Sequence, residues 1–267
     1  MSTHDLDRRP RPMRRGAYVL PSLFTMGNVL LGFYAVVLAH RGDFDRAPWM
    51  IIIAGVLDGL DGRIARLTHT ESEFGKELDS LADVLTFGAA PAYIGYLWGL
   101  HEHGRVGWLI PVLFLLCTAI RLARFNVQVR TVDSRQFVGL PSPAAAGTLM
   151  ALLFLDLQLA EVEPWQDLRH PVMAITLVVA GALMVSTFRY PSFKKIDLRR
   201  RWSYRTAAGT AVLLLLVLSR PVIAFQALAV GFALSGPLVW LFGRLRRQLG
   251  EPEANTTQDD PPAPAVS

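Results

Sequence analysis

Long apolar runs separated by short polar breaks organise most of this chain. A helix that crosses a bilayer needs about 17 to 25 mostly apolar residues. Eight such runs can be drawn: Ala17 to Ala39, Ala47 to Leu67, Glu77 to Leu100, Gly107 to Phe125, Ser142 to Leu159, Pro171 to Phe188, Tyr204 to Leu218 and Val222 to Phe242. The seventh is the shortest. Ser219, Arg220 and Pro221 part it from the eighth, because proline lacks a backbone donor and arginine is costly mid-bilayer. The pattern predicts an all-α polytopic membrane bundle of about eight helices.

Two of the runs carry clustered acids. The second carries Asp58, Asp61, Arg63 and Arg66, and the third carries Asp79 and Asp83. Each charge costs on the order of 2.5 to 3.5 kcal/mol at a helix centre by insertion scales, so four acids at this depth call for a compensating cation and a function. At 100° per residue, Asp58, Asp61, Gly62, Ala65 and Arg66 share one face about 140° wide. Gly75, Asp79 and Asp83 repeat every four residues and form one ridge on the next helix. The short loop His69 to Phe74 makes these helices antiparallel neighbours, so the two acid faces are expected to meet.

Four aspartates between two helices form a hard, all-oxygen site suited to Mg²⁺ or Mn²⁺, and their charge balances two divalent ions. Two metals can clamp the attacking and leaving oxygens of a displacement at phosphorus. Gly62 and Ala65 leave space beside the acids, and Arg66 could grip phosphate. Asp58 lies about 13 Å and Asp61 about 9 Å from the helix end near Leu67, the depth of lipid headgroups and upper acyl chains. Two blander readings compete. Gly62, Ala65 and Gly75 could merely let helices pack closely, and membrane aspartates could relay ions in a transporter.

Composition agrees with a membrane chain: 267 residues, 52% apolar, with a mean hydropathy of +0.33. Lys and Arg divide unevenly between the two sides of the predicted bundle, 22 against 5. Cytoplasmic loops retain positive charge, so both termini are expected in the cytoplasm and the acid site, between helices 2 and 3, opens towards it. Topology accounts for the basic balance, and no nucleic-acid partner is expected. A secretory signal is the competing reading of the N-terminus, but the apolar run is long and lacks a small-residue cleavage site. The tails, 1–15 and 246–267, read as a basic and a disordered cytoplasmic segment around a membrane domain at 16–245. Cys117 is the single cysteine, which excludes disulfides within the chain and Cys-based zinc sites. The six histidines show no metal-ligand spacing.

The run Asp58-x-x-Asp61-Gly62-x-x-Ala65-Arg66, then Gly75-x-x-x-Asp79-x-x-x-Asp83, resembles the signature of the CDP-alcohol phosphotransferase family at every fixed position. The resemblance implies that Asp58, Asp61, Asp79 and Asp83 hold the divalent metal. It further implies that Asp83 is the general base and that Gly62, Ala65 and Arg66 contact the CDP portion. Five further segments resemble the bacterial serine-accepting branch: Pro21-Ser-Leu-Phe-Thr25 with Gly27-Asn28, Phe74 to Asp83 running into Phe87-Gly-Ala-Ala-Pro91, Arg121-Leu-Ala-Arg-Phe-Asn126, Gly139 to Gly147, and Arg189 to Lys194. Ser22 stands where many relatives are expected to carry asparagine, and Asn28 is a polar candidate for the nucleotide.

The resemblance implies CDP-diacylglycerol and L-serine as substrates, a membrane-lipid surrounding, a bacterial inner membrane and a homodimer, to which the small-residue segment Ala144 to Gly147 could contribute. Arg121, Arg124 and Asn126 are candidates for the serine carboxylate, although arginines at a helix end also snorkel. A relative that uses glycerol phosphate or inositol phosphate is the alternative within the family, and an ion-coupled transporter the alternative outside it.

Overall fold

The computed structural model describes residues 19–68, 73–129, 137–190 and 219–248, nearly all of them helical. In chain order the helices are α1 (Val19–His40), α2 (Ala47–Thr68), α3 (Glu73–Asp83), α4 (Ala90–Trp98), α5 (Gly104–Val129), α6 (Ser142–Leu159), α7 (Glu163–Val185) and α8 (Pro221–Gln248). A π-helical turn, Val84–Ala89, joins α3 to α4. A 3-10 turn, Leu100–His103, joins α4 to α5. Strands β1 (Phe137–Val138) and β2 (Arg189–Tyr190) pair antiparallel, Phe137 opposite Tyr190 and Val138 opposite Arg189.

Tyr204 to Leu218 lies outside the described residues; every other expected span overlaps helix, the third divided between α3 and α4 and the sixth starting at Glu163 rather than Pro171. Among the described residues five helical stretches are long and apolar enough to cross a membrane: Leu23–His40, Leu100–Val127, Ser142–Leu159, Glu163–Val185 and Pro221–Leu245. The chain is an integral membrane protein. The second and third expected spans are absent from that set: the second carries Asp58, Asp61, Arg63 and Arg66, and the third is divided between α3 and α4. α1 runs along α2, α5 along α7, and α6 along both α7 and α8. Phe87, Phe114, Leu149, Leu153, Met173 and Leu177 fill the centre, while Leu30, Phe33, Leu228 and Phe242 remain on the outside, as expected where lipid replaces water as the neighbour.

The third span departs from the expectation of one continuous helix. Pro91 sits at the start of α4, and in an unbroken α-helix its ring would clash with the carbonyl four residues back, that of Phe87. The preceding turn widens instead: the Ala90 N–H reaches back five residues to the Leu85 carbonyl. Such π turns often mark functional sites, and this one begins directly after Asp83.

A second proline shapes α8. Pro237 lies inside the helix and cannot donate to the carbonyl of Ala233, four residues back. The Tyr190 hydroxyl of β2 donates to that carbonyl at 3.2 Å. Gly236 makes the approach possible, because a Cβ there would run into the Tyr190 ring. Burial pushes the Tyr190 phenol up to about 12, so the donor stays protonated throughout the neutral range.

A third polar device ties the bundle at the end away from the acids. Asp156 of α6 is buried, yet both carboxylate oxygens are bonded, Oδ2 by the Trp98 indole at 2.9 Å and Oδ1 by the Trp165 indole at 2.8 Å. Each link joins a different helix to α6.

Tyr190→Phe should lower stability by about 1 to 3 kcal/mol, the cost of leaving a buried carbonyl unpaired, measured by denaturant unfolding in detergent. In a Pro237→Ala background, where residue 237 can bond Ala233 itself, the same change should cost distinctly less. A folded-state value raised from 10.0 to about 12 means that the stability linked to this hydroxyl is complete below pH 10 and lost as the pH rises through about 12.

Candidate active site

Asp58 of α2 and Asp79 and Asp83 of α3 meet where the two helices face each other, with one carboxylate oxygen from each lying within 4.8 Å of the others. The i, i+4 spacing puts Asp79 and Asp83 on one ridge, and the reversal between α2 and α3 turns that ridge towards Asp58. Asp79 Oδ1 and Asp83 Oδ1 are buried without a hydrogen-bond partner. Three like charges so close and so poorly solvated repel one another strongly unless a cation joins them. Buried oxygens with free lone pairs, all from hard carboxylates, suit a divalent ion such as Mg²⁺ or Mn²⁺. Asp61 rides on the same helix as Asp58, but its side chain, like those of Ala65 and Arg66, lies outside the described residues.

The third wall is α5. The buried guanidinium of Arg121 faces Asp58 and Asp83 electrostatically and donates to the Ser142 hydroxyl at 2.8 Å. Ser142 begins α6, preceded by extended Pro141, so the start of that helix is held against the same cation. Gly62 faces open space: a Cβ there would meet no atom within 4 Å. The site therefore has room on the α2 side and a fixed positive group on the α5 side.

The three candidates for the serine carboxylate separate. Arg121 comes to the acids. Arg124, nearly one turn further on, does not, because it donates to the carbonyls of Val185 at 2.9 Å, Val138 at 3.2 Å and Ser186 at 3.2 Å. Carbonyls at a helix end have no partner within the helix, and Arg124 supplies one for the end of α7. Gly139 lies beside it with φ +82, and a side chain there would strike the Met184 carbonyl. Asn126 donates to the Ser80 hydroxyl at 2.9 Å, tying α5 to α3 beside the acid ridge rather than on it.

Asn28, a polar candidate for the nucleotide, is enclosed at 0% exposure. Its backbone carbonyl accepts from the Thr86 hydroxyl at 3.2 Å. One turn further along α1, Gly32 lies directly against the π turn, where a Cβ would come within 2.8 Å of Thr86 Oγ1 and 3.0 Å of its Cα. This contact sets the height of Asp83 relative to α1. The positioning roles of Ser142, Thr86 and Gly32 were not legible as roles in the sequence, although Ser142 stands in a segment that carried the family likeness.

A family model described as CDP-alcohol phosphatidyltransferase matches residues 18–185. The chain is 39% identical over 225 residues to the CDP-diacylglycerol--serine O-phosphatidyltransferase of Helicobacter pylori, covering 84% of this chain and 92% of that one. The protein of that name from Methanocaldococcus jannaschii is 34% identical over 169 residues, 63% of this chain and 72% of its own. The Bacillus subtilis protein of the same name is 31% identical over 177 residues, 66% and 92% respectively.

Gly32→Ala should push α1 away from the π turn and destabilise the protein by about 1 to 3 kcal/mol, the usual cost of overpacking. The same denaturant assay checks it, and unchanged stability would show that the α1 contact is not tight.

Proposed function

Because the chain belongs to the CDP-alcohol phosphatidyltransferase family, we propose that its acid cluster transfers the phosphatidyl group of CDP-diacylglycerol to the hydroxyl of L-serine, giving phosphatidylserine and CMP. The observation that carries this reading is the meeting of Asp58, Asp79 and Asp83 opposite a buried arginine, in a chain similar along most of its length to relatives that carry the serine-transferase name.

Asp58, Asp61, Asp79 and Asp83 are the residues that would hold divalent cations, two by charge balance. Bound there, Mg²⁺ or Mn²⁺ supplies positive charge to the pyrophosphate oxygens. The chain's own groups do the rest. Asp83 takes the proton of the serine hydroxyl as its oxygen bonds to the lipid-side phosphorus, and the bond from that phosphorus to the CMP oxygen breaks. Arg121 pairs with the serine carboxylate while Ser142 holds the guanidinium in place, a charge-assisted arrangement with strict geometry. The open side at Gly62 admits the CDP portion, with Ala65 and Arg66 following on the same face of α2.

The membrane domain spans 16–245, with the tails 1–15 and 246–267 outside it and both termini on the cytoplasmic side of a bacterial inner membrane. The excess of Lys and Arg in the loops on that side supports this placement. A homodimer completes the proposal. Within one protomer, Ala145 and Ala146 are buried and Gly147 packs against Phe225 of α8.

CMP release from CDP-diacylglycerol should require serine and either Mg²⁺ or Mn²⁺, and glycerol 3-phosphate or inositol phosphate should not replace serine. Faster release with a phosphorylated acceptor would sink the serine assignment. Asp83→Asn should lower kcat by about 100-fold or more, the usual scale for a general base. Arg121→Lys should raise the KM for serine by about tenfold or more, as loss of a charge-assisted hydrogen bond implies, with a much smaller change in the KM for the lipid.

A further inference from the structure

Among the described residues, Asn28 is the buried polar side chain with no hydrogen-bond partner on either of its two functional atoms. It is fully enclosed, and both Nδ2 and Oδ1 are buried with no hydrogen bond. A primary amide left so is costly, and native proteins seldom tolerate it without a water, an ion or a ligand. Its surroundings tell which. α1 and α2 form an antiparallel hairpin around the turn 41–46, and Asn28 and Asp58 lie equally far along their helices from Ala39 and Ala47, which places them at one depth. The π turn gives the same answer from the other side. Thr86 bonds the Asn28 backbone carbonyl and Gly32 abuts Thr86, so one turn nearer the N-terminus of each helix Asn28 comes level with Asp83. Helical side chains lean towards the N-terminus, which on α1 and α3 alike is the end that carries the acid ridge.

Three buried groups with unpaired polar atoms, Asn28, Asp79 and Asp83, therefore occupy the seam between α1, α2 and α3. We propose that the Asn28 amide is part of the cation site. Oδ1 supplies a neutral oxygen to the divalent ion or to a water on it, and Nδ2 donates to a carboxylate or to such a water. Asn28 is thus a positioning residue that fixes the ion from the side of α1, and the acids of α2 and α3 do not close the site alone. The inference rests on the reading of the acid cluster as a cation site.

The test measures Mn²⁺ binding to the purified full chain in detergent by calorimetry and by electron paramagnetic resonance, without substrates, alongside thermal unfolding in EDTA. Asn28→Leu, close in volume and free of polar atoms, should weaken Mn²⁺ binding by about tenfold or more, the scale of losing a supporting group at a metal site. The same variant should unfold at a higher temperature in EDTA, because an unpaired buried amide has been removed. Asn28→Asp keeps the shape and adds a charge, so it should bind Mn²⁺ more tightly than the parent and unfold earlier in EDTA. Parental Mn²⁺ affinity in either variant overturns the role of Asn28. A parent chain that binds no Mn²⁺ overturns the cation reading of the acids themselves, and the inference with it.

Discussion

Repulsion among carboxylates in a poorly solvated seam is the constraint on which the rest of the bundle depends. Asp58, Asp79 and Asp83 stand within reach of one ion, an arrangement that would fly apart or lose its charge without firm neighbours. Apolar packing alone cannot hold it, because in a membrane the lipid competes on equal terms for apolar surface. The chain instead uses close backbone approach and buried hydrogen bonds. Gly32 seats α1 against the π turn, Arg121 approaches from α5 with Ser142 behind it, and Asp156 ties α4 and α7 to α6 through two indoles.

Two arginines three residues apart show how differently one residue type can be used. Arg121 points into the bundle towards the acids, where its charge offsets theirs. Arg124 turns towards the end of α7 and the strand pair, where its guanidinium donates to three carbonyls, two of them at a helix end that helix geometry leaves bare. Position along the helix decides this, since three residues turn the side chain by about 60°. No property of the guanidinium itself distinguishes them.

Much of the site was legible because its signals are periodic. Asp79 and Asp83 recur at helical spacing, Asp58 stands at matching depth across a short loop, and the helices overlap the apolar runs in every described span. What stayed hidden depends on contacts between segments far apart in the chain. Nothing local says that Arg124 will find Val138, Val185 and Ser186, or that Asn28 will be fully enclosed. Pro91 and Pro237 were readable in principle, because each proline frees a carbonyl four residues back. Only the fold shows the two remedies, a widened turn for one and the Tyr190 hydroxyl for the other.

The π turn also separates two design problems that a straight helix would couple. Below it, α3 must present carboxylates in fixed phase with α2. Above it, α4 must pack against α1, α5 and α6. The wider turn resets the angular phase between these halves, so residues of α4 can drift in size and direction without rotating Asp79 or Asp83. Grafting the acid motif onto an ideal helix would therefore fail for a reason no motif pattern records: the piece that must travel with Asp83 is the irregular turn Val84–Ala89.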